Sequence, residues 1–427
     1  MAKLLLLLTA LLLGLTCSLP ALTFAAPSGL QLRLTHVDDG SPFNFTERIR
    51  RAALRSQHRR QLLKARITNT SPANLNIPVT PVKFEYKIDF AIGTPRLPIS
   101  AVLDTGSELV WTQCRPCEQC VEQVTPIYDP SKSSSFSKIP CTSPMYAYEL
   151  FKQFNPPKCQ YACAYGSAST RGVLATETFS FGRKHSAKLT FGCSRESRGN
   201  FAGTSGIVGL GQGKLSLISQ LKFNKFSYCF TPFNSSRSSH LLLGSRANLE
   251  RSASGEAPQS TPFLNDTNFY YVALRGISLG KTFLPIPSSI FQYKASEGRG
   301  TVVDSGTGQS QLPQPAYDVI KKKITSFIRL PVRNMSSTVG LDHCFAVSSW
   351  PPPQLPEMTF HFDKADMRIP STNYMYADRR IGALCLVMHP VDHNLTIIGN
   401  YQQQNMHVVY DLTARKLSFA PAQCSNF

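Results

Sequence analysis

One short word occurs twice in this 427-residue chain. Residues 102–107 read VLDTGS and residues 302–307 read VVDSGT, so Asp104 and Asp304 stand in matching contexts. Each copy is followed, after a similar interval, by an apolar-apolar-Gly triplet: Ile207-Val208-Gly209 in the first half and Ile397-Ile398-Gly399 in the second. Apolar pairs running into Asp-x-Gly read as buried strands that stop at a tight turn. A single copy would be an ordinary turn, its Asp bonding its own backbone. Two copies predict two related lobes, each delivering a carboxylate at a strand end into the cleft between them.

The surrounding pattern is β-rich. In FEYKIDFAIG the apolar residues Phe84, Tyr86, Ile88 and Phe90 alternate, the period of a half-buried strand. Further short strand-like runs recur between Gly, Pro, Ser and Asn clusters, among them LTFGC, FSYCF, HLLLG, LCLVM, HVVYDL and KLSFAP. Helices are few. The clearest is 315–328, with Pro315 at its start and Val319, Ile320, Ile324 and Phe327 expected on one core-facing side. The fold class expected is all-β dominated and bilobal, with an N-terminal lobe over 81–250 and a C-terminal lobe over 251–427.

Residues 1–25 carry one Lys, a long apolar run and small residues near Ala25 and Ala26, which reads as a secretory signal peptide. No later stretch approaches the roughly 18 apolar residues that span a bilayer. Six Asn-x-Ser/Thr triplets, at Asn44, Asn69, Asn234, Asn265, Asn334 and Asn394, then become candidate glycan sites. Of twelve cysteines Cys17 lies in the signal, leaving an odd number for the oxidising pathway: disulfides plus one thiol. The run Cys114, Cys117, Cys120 has metal-ligand types, but no Cys/His pair follows at finger spacing, so no metal is expected. The net charge of +19 is concentrated in 47–66 and otherwise scattered, without the basic-aromatic platforms that bind nucleic acid. Residues 26–80, which hold the strand-like LQLRLTHV, a basic helix opened at Thr46 and a polar tail, read as a separate, removable segment.

The neighbours of the two Asp residues suit catalysis. Gly106 and Gly306 let backbone amides approach the carboxylates. Ser107 and Thr307 are placed to donate to the outer oxygens, and Thr105 and Ser305 to bind across to the opposite loop. Carboxylates held so close share a proton, one acting as general base on a water and the other as general acid toward a carbonyl. No cofactor is needed.

The motifs LDTGSELVWTQC, the triple-cysteine run, ATETFSFG, GIVGLGQGKLSLISQL, VVDSGTG and IIGNYQQQNMHVVYDL run in order from about residue 84 to the C-terminus. In them the chain resembles the pepsin-family aspartic proteases, in their nepenthesin-type plant branch. The resemblance implies a secreted endopeptidase acting at acid pH on polypeptides, monomeric, extracellular in the apoplast or cell wall or else vacuolar. The segment 26–80 resembles that family's propeptide, an intramolecular inhibitor whose basic side chains are expected near the cleft carboxylates. A flap hairpin is implied, with Tyr165 hydrogen-bonded to Trp111. Here Tyr165-Gly166 is followed by Ser167-Ala168, a shorter and altered flap, and Gly308-Gln309-Ser310-Gln311 departs from the more apolar family segment. The family cysteine order implies Cys114–Cys117, Cys120–Cys193, Cys141–Cys159, Cys229–Cys424 and Cys344–Cys385, with Cys163 the unbridged thiol. The alternative from another class is a non-catalytic binding protein on the same scaffold, like a polysaccharide-hydrolase inhibitor or a wall-associated protein.

Overall fold

The computed structural model describes residues 29–67, 86–147, 159–165, 168–199, 201, 203–249, 257–264 and 269–427. The signal peptide expected over 1–25, Cys17, the stretch 68–80, and the sequons Asn69 and Asn265 lie outside the described residues. The chain runs through β1 (Gly29–His36), α1 (Phe45–Ile67), β2 (Tyr86–Ile92), β3 (Leu97–Asp104), β4 (Val110–Gln113), β5 (Tyr161–Tyr165), β6 (Ala168–Phe181), β7 (His185–Arg198) and β8 (Gly206–Gly209). It continues through β9 (Lys225–Cys229), β10 (Ser239–Gly244), β11 (Gly300–Val303), β12 (Ser310–Pro313), α2 (Gln314–Phe327), β13 (Met388–Val391), β14 (Leu395–Ile398) and β15 (Met406–Asp411).

The repeat seen in the sequence is a repeat of strand pairing. β3 lies parallel to β8 with Val102 opposite Ile207, and β11 lies parallel to β14 with Val302 opposite Ile397. β8 is antiparallel to β4 and β14 to β12, while β4 is parallel to β7 and β12 to β13. Each lobe therefore carries the same four-strand arrangement. Its central strands are buried on both faces, which is why they read as continuous apolar runs rather than alternating ones.

The glycine of each apolar-apolar-Gly triplet is dictated by close backbone approach. A Cβ on Gly209 would fall 2.4 Å from the Glu108 carbonyl carbon, and one on Gly399 would fall 2.7 Å from the Gly308 oxygen. The gap lets the two loops bond. Leu210 N–H donates to Asp104 O at 2.8 Å and Gly211 N–H to Ser107 O at 2.8 Å; Asn400 N–H donates to Thr307 O at 2.7 Å and Tyr401 N–H to Gly308 O at 2.8 Å.

The N-terminal segment is built into this body. β1 alternates as expected, burying Leu30, Leu32 and Leu34, and sits in the large sheet between β10 and β2. α1 begins one residue before Thr46, with the Asn44 side chain capping it through Glu47 N–H at 2.9 Å. Thr46 is thereby released to bond the Asp378 carboxylate. The face of α2 also differs from expectation: Ala316, Tyr317, Ile320 and Ile324 are buried and Phe327 is 44% exposed, because the buried row steps by four from Ala316 through Ile320 and Ile324 to Ile328 and leaves Phe327 at its edge.

Five disulfides form, and two pairings differ from those the resemblance implies. Cys114 bridges Cys193, and Cys117 bridges Cys120. β4 runs parallel to β7, which places Cys114 beside Cys193 with Cα atoms 5.4 Å apart and Cys114 N–H on Ser194 O at 2.8 Å. Cys117 and Cys120 then meet across a turn at 5.9 Å. The pairs Cys141–Cys159, Cys229–Cys424 and Cys344–Cys385 form as expected, and Cys163 is buried outside all five. Of the described sequons, Asn44, Asn234 and Asn334 are exposed and Asn394 is half-buried.

Two predictions follow from burial. Thiol labelling of the unreduced protein should detect one cysteine, Cys163, and only after unfolding. His407, buried on β15 and hydrogen-bonded to Ser227 Oγ at 2.9 Å, has its pKa lowered by burial to about 4. The unfolded chain takes up that proton first, so the stability attached to neutral His407 falls as pH drops through the unfolded value toward about 4. The replacement His407→Gln should shrink the acid loss of unfolding free energy between pH 7 and 4 by about 3 kcal/mol, measured by denaturant titration at both pH values.

Candidate active site

The loops after β3 and β11 meet. Ser305 N–H donates to Thr105 Oγ1 at 2.9 Å, and Thr105 N–H donates to Ser305 Oγ at 3.1 Å. All four groups are buried, so each bond satisfies a donor that water cannot reach. The lock is reciprocal across the two lobes and fixes the residue beside each Asp.

Both carboxylates are fully buried and held alike. Gly106 N–H donates to Asp104 Oδ1 at 3.0 Å, and Gly306 N–H donates to Asp304 Oδ1 at 3.0 Å. Thr307 Oγ1 donates to the other oxygen of Asp304 at 2.6 Å, as its position suggests. Ser107 does not repeat this on the first side: its buried Oγ has no hydrogen-bond partner among the described residues. The near-symmetry of the motifs thus stops short at the fourth position.

Groups that no sequence argument singled out support the second loop from below. Asn400 Nδ2 donates to Ser305 O at 2.9 Å, Gln403 Nε2 to Ile398 O at 2.9 Å, and Tyr228 OH bonds both Gln403 and Tyr410. Burial, with the neighbouring Tyr410 and Asp304 adding to it, holds the Tyr228 phenol well above its ordinary pKa, so it remains a donor. The signal for these residues was present in NYQQQN, a polar run directly after an apolar-apolar-Gly triplet, where an exposed loop is the default reading.

Trp111 and Tyr165 come together, but not through a hydrogen bond. Their ring centroids lie 6.0 Å apart, and Phe201 meets Trp111 edge-on at 4.9 Å and Tyr165 at 6.4 Å. Trp111 Nε1 is buried with no hydrogen-bond partner among the described residues, while its ring packs edge-on against Phe201. Tyr165 ends β5 in register with Ala168 on β6, and Gly166 and Ser167 of the altered flap lie outside the described residues.

α1 lies over this region, packing on β5 and on β12. Ser56 Oγ accepts Gln309 N–H at 2.7 Å, and Gln309 Nε2 donates to Ile49 O at 3.2 Å. Arg51 and Arg55 converge on Asp38, within the same segment, at 3.4 and 3.0 Å. At the start of α1, Thr46, Tyr376 and Arg380 surround Asp378. Burial raises the Asp378 pKa, but hydrogen bonds from Thr46, Tyr376 and Arg380 outweigh it and hold the carboxyl well below the usual range.

Two lobes of like construction, each bringing a buried Asp to one shared point, define a pepsin-type aspartic protease. Comparison with known proteins agrees. Residues 86–245 match the family model described as xylanase inhibitor N-terminal, and residues 269–421 match its C-terminal counterpart. The chain is 42% identical to aspartic proteinase nepenthesin-1 of Nepenthes gracilis over 94% of this chain and 91% of that protein. It is 40% identical to nepenthesin-2 of the same plant over 93% and 90% respectively, and 37% identical to aspartyl protease family protein 2 of Arabidopsis thaliana over 80% and 71%. The chain belongs to the nepenthesin-type branch of the plant aspartic proteases, and it is an aspartic-type endopeptidase.

The reciprocal lock yields a test. Ser305→Ala removes the acceptor for Thr105 N–H and leaves that donor buried and unpaired, at a cost of roughly 1–3 kcal/mol. The variant should unfold at lower temperature and lose kcat more than it raises KM, as read by calorimetry and peptide hydrolysis.

Proposed function

We infer that this protein is a secreted zymogen whose mature form hydrolyses polypeptides at acid pH through Asp104 and Asp304. The observation that carries the reading is the Thr105–Ser305 lock, which presents two buried carboxylates at matching strand ends with one oxygen of each tied to a glycine amide. A water between them is deprotonated by one carboxylate as its oxygen attacks the substrate carbonyl, while the other carboxyl gives its proton to the carbonyl oxygen. Collapse of the resulting diol breaks the C–N bond, and the proton taken from water passes to the leaving amine. No covalent intermediate with the enzyme is formed.

Residues 26–80 act as the inhibitory propeptide in this reading. β1 and α1 dock through sheet pairing, the Ile49–Ser56 face and the Thr46–Asp378 contact, and α1 packs over the loop that follows Asp304. Docking strength tied to Asp378 is present above that group's undocked pKa and is lost as pH falls through its depressed docked value. The Thr46 anchor therefore outlasts mild acid. The signal-like N-terminus and the five disulfides support passage through the secretory pathway, with the exposed sequons as glycan sites. No helix among the described residues is long and apolar enough to cross a membrane.

The description of the matched family models as xylanase inhibitor keeps one second reading in play, a pepsin-fold binding protein. One experiment separates the two. The acid-processed wild type should cleave an unfolded protein between about pH 3 and 5 and lose nearly all activity in Asp104→Asn and in Asp304→Asn, while the unprocessed chain stays silent near neutrality. A folded, processed wild type without cleavage would transfer the assignment to the binding protein.

A further inference from the structure

The period of β12 sorts its residues to two sides. Ser310 turns into the lobe, its Oγ accepting Gly399 N–H at 2.9 Å and donating to Gln402 Oε1 at 2.6 Å. Gln309 and Gln311, on either side of it, turn toward α1. Gln311 is in parallel register with His389 on β13, and His389 Nε2 is hydrogen-bonded to Gln309 Oε1. All three side chains are buried, and they begin two residues past Thr307, which holds Asp304.

What covers them is one face of α1. Ile49, Ala52, Ala53 and Ser56 are fully buried at helical spacing, and Ser56 sits at the centre of the polar contact. Its hydroxyl accepts Gln309 N–H, and its carbonyl accepts Gln311 Nε2. Gln311 Oε1, by contrast, is buried with no hydrogen-bond partner among the described residues. The mismatch has a physical cause. In mid-helix the amide hydrogens are committed to carbonyls one turn back, and the Ser56 hydroxyl donates to Ala52 O at 2.9 Å, so α1 gives this contact acceptors and leaves no donor for Gln311 Oε1. An extended peptide offers both, and so does a hydroxyl or amide side chain.

We propose that Gln309, Gln311 and His389 form a polar subsite beside the Asp304 loop that selects polypeptide substrates carrying Ser, Thr, Asn or Gln at one position, with Ser56 occupying it in the uncleaved chain. The proposal rests on the endopeptidase reading and deepens it by naming a substrate preference. An apolar side chain seated there would leave the Gln309 and Gln311 amide donors without the acceptors that α1 gives them, so discrimination of roughly tenfold to a hundredfold is expected.

The test uses the acid-processed protein, expressed as the full chain, and synthetic peptides varied one position at a time through Ser, Thr, Asn, Gln, Leu, Phe and Asp, with cleavage read by mass spectrometry. One position should favour the four uncharged polar residues over Leu by roughly 10- to 100-fold. That preference should fall to near unity in the double variant Gln309→Leu/Gln311→Leu, with preferences at other positions retained. The single variant Gln311→Leu, expected to lose part of the preference, serves if the double variant does not fold. A wild type indifferent at every position, or a double variant that keeps the preference, overturns the subsite. If the wild type cleaves no peptide, the endopeptidase reading falls separately, and calorimetric binding decides: equal affinity of the processed protein for Ser- and Leu-containing peptides overturns the subsite as well.

Discussion

Two hydrogen bonds between Thr105 and Ser305 join the halves of this molecule at the point where chemistry is expected. Neither lobe can supply such a contact alone, since each provides one hydroxyl and one amide and needs the other lobe's counterpart. Everything around the lock keeps its two loops in place. Gly209 and Gly399 allow the backbone behind them to close in, Asn400 holds Ser305 from beneath, and the parallel strand pairs β3/β8 and β11/β14 aim both loops at the same spot. A buried lock of this kind is intolerant of half measures, because removing one hydroxyl leaves a backbone donor without a partner.

The N-terminal segment is integrated with the rest by several different interactions. β1 contributes backbone pairing and three buried leucines, α1 a small-residue face that lies close against the C-terminal lobe, and Thr46 a hydroxyl on a carboxylate held low in pKa. Its described arginines are not spread over the surface of the partner lobe. Arg51 and Arg55 meet Asp38, Arg50 meets Glu47 and Arg48 meets Asp39, so these four arginines are matched inside the segment. Hydrogen bonding and packing carry the described docking contacts, and the side chains of Arg59, Arg60, Lys64 and Arg66 lie outside the described residues.

What was legible in the sequence was whatever depends on short-range order. Strand alternation from Tyr86, the apolar runs that end at Asp104 and Asp304, and the glycine after each second apolar pair all reappear as strands, strand ends and close approaches. What escaped was decided by distant neighbours. Cys114 and Cys117 are close in sequence, yet β7 brings Cys193 to Cys114 first. Trp111 and Tyr165 meet through Phe201 as packed rings, and Phe327 is exposed because the lobe takes the row that ends in Ile328 instead.

The sequence alone determined that there are two lobes and that each carries one Asp at the end of a buried strand, because a repeated pattern of apolar and turn residues acts over a few residues and needs no partner. Tertiary structure decided how Gln309, Gln311 and Ser107 are used. Their side chains take their roles from what lies opposite, and for Gln309 and Gln311 that is a helix some 250 residues earlier in the chain. Hydrogen bonds in a buried site are settled by which groups arrive together, and only the folded chain sets that.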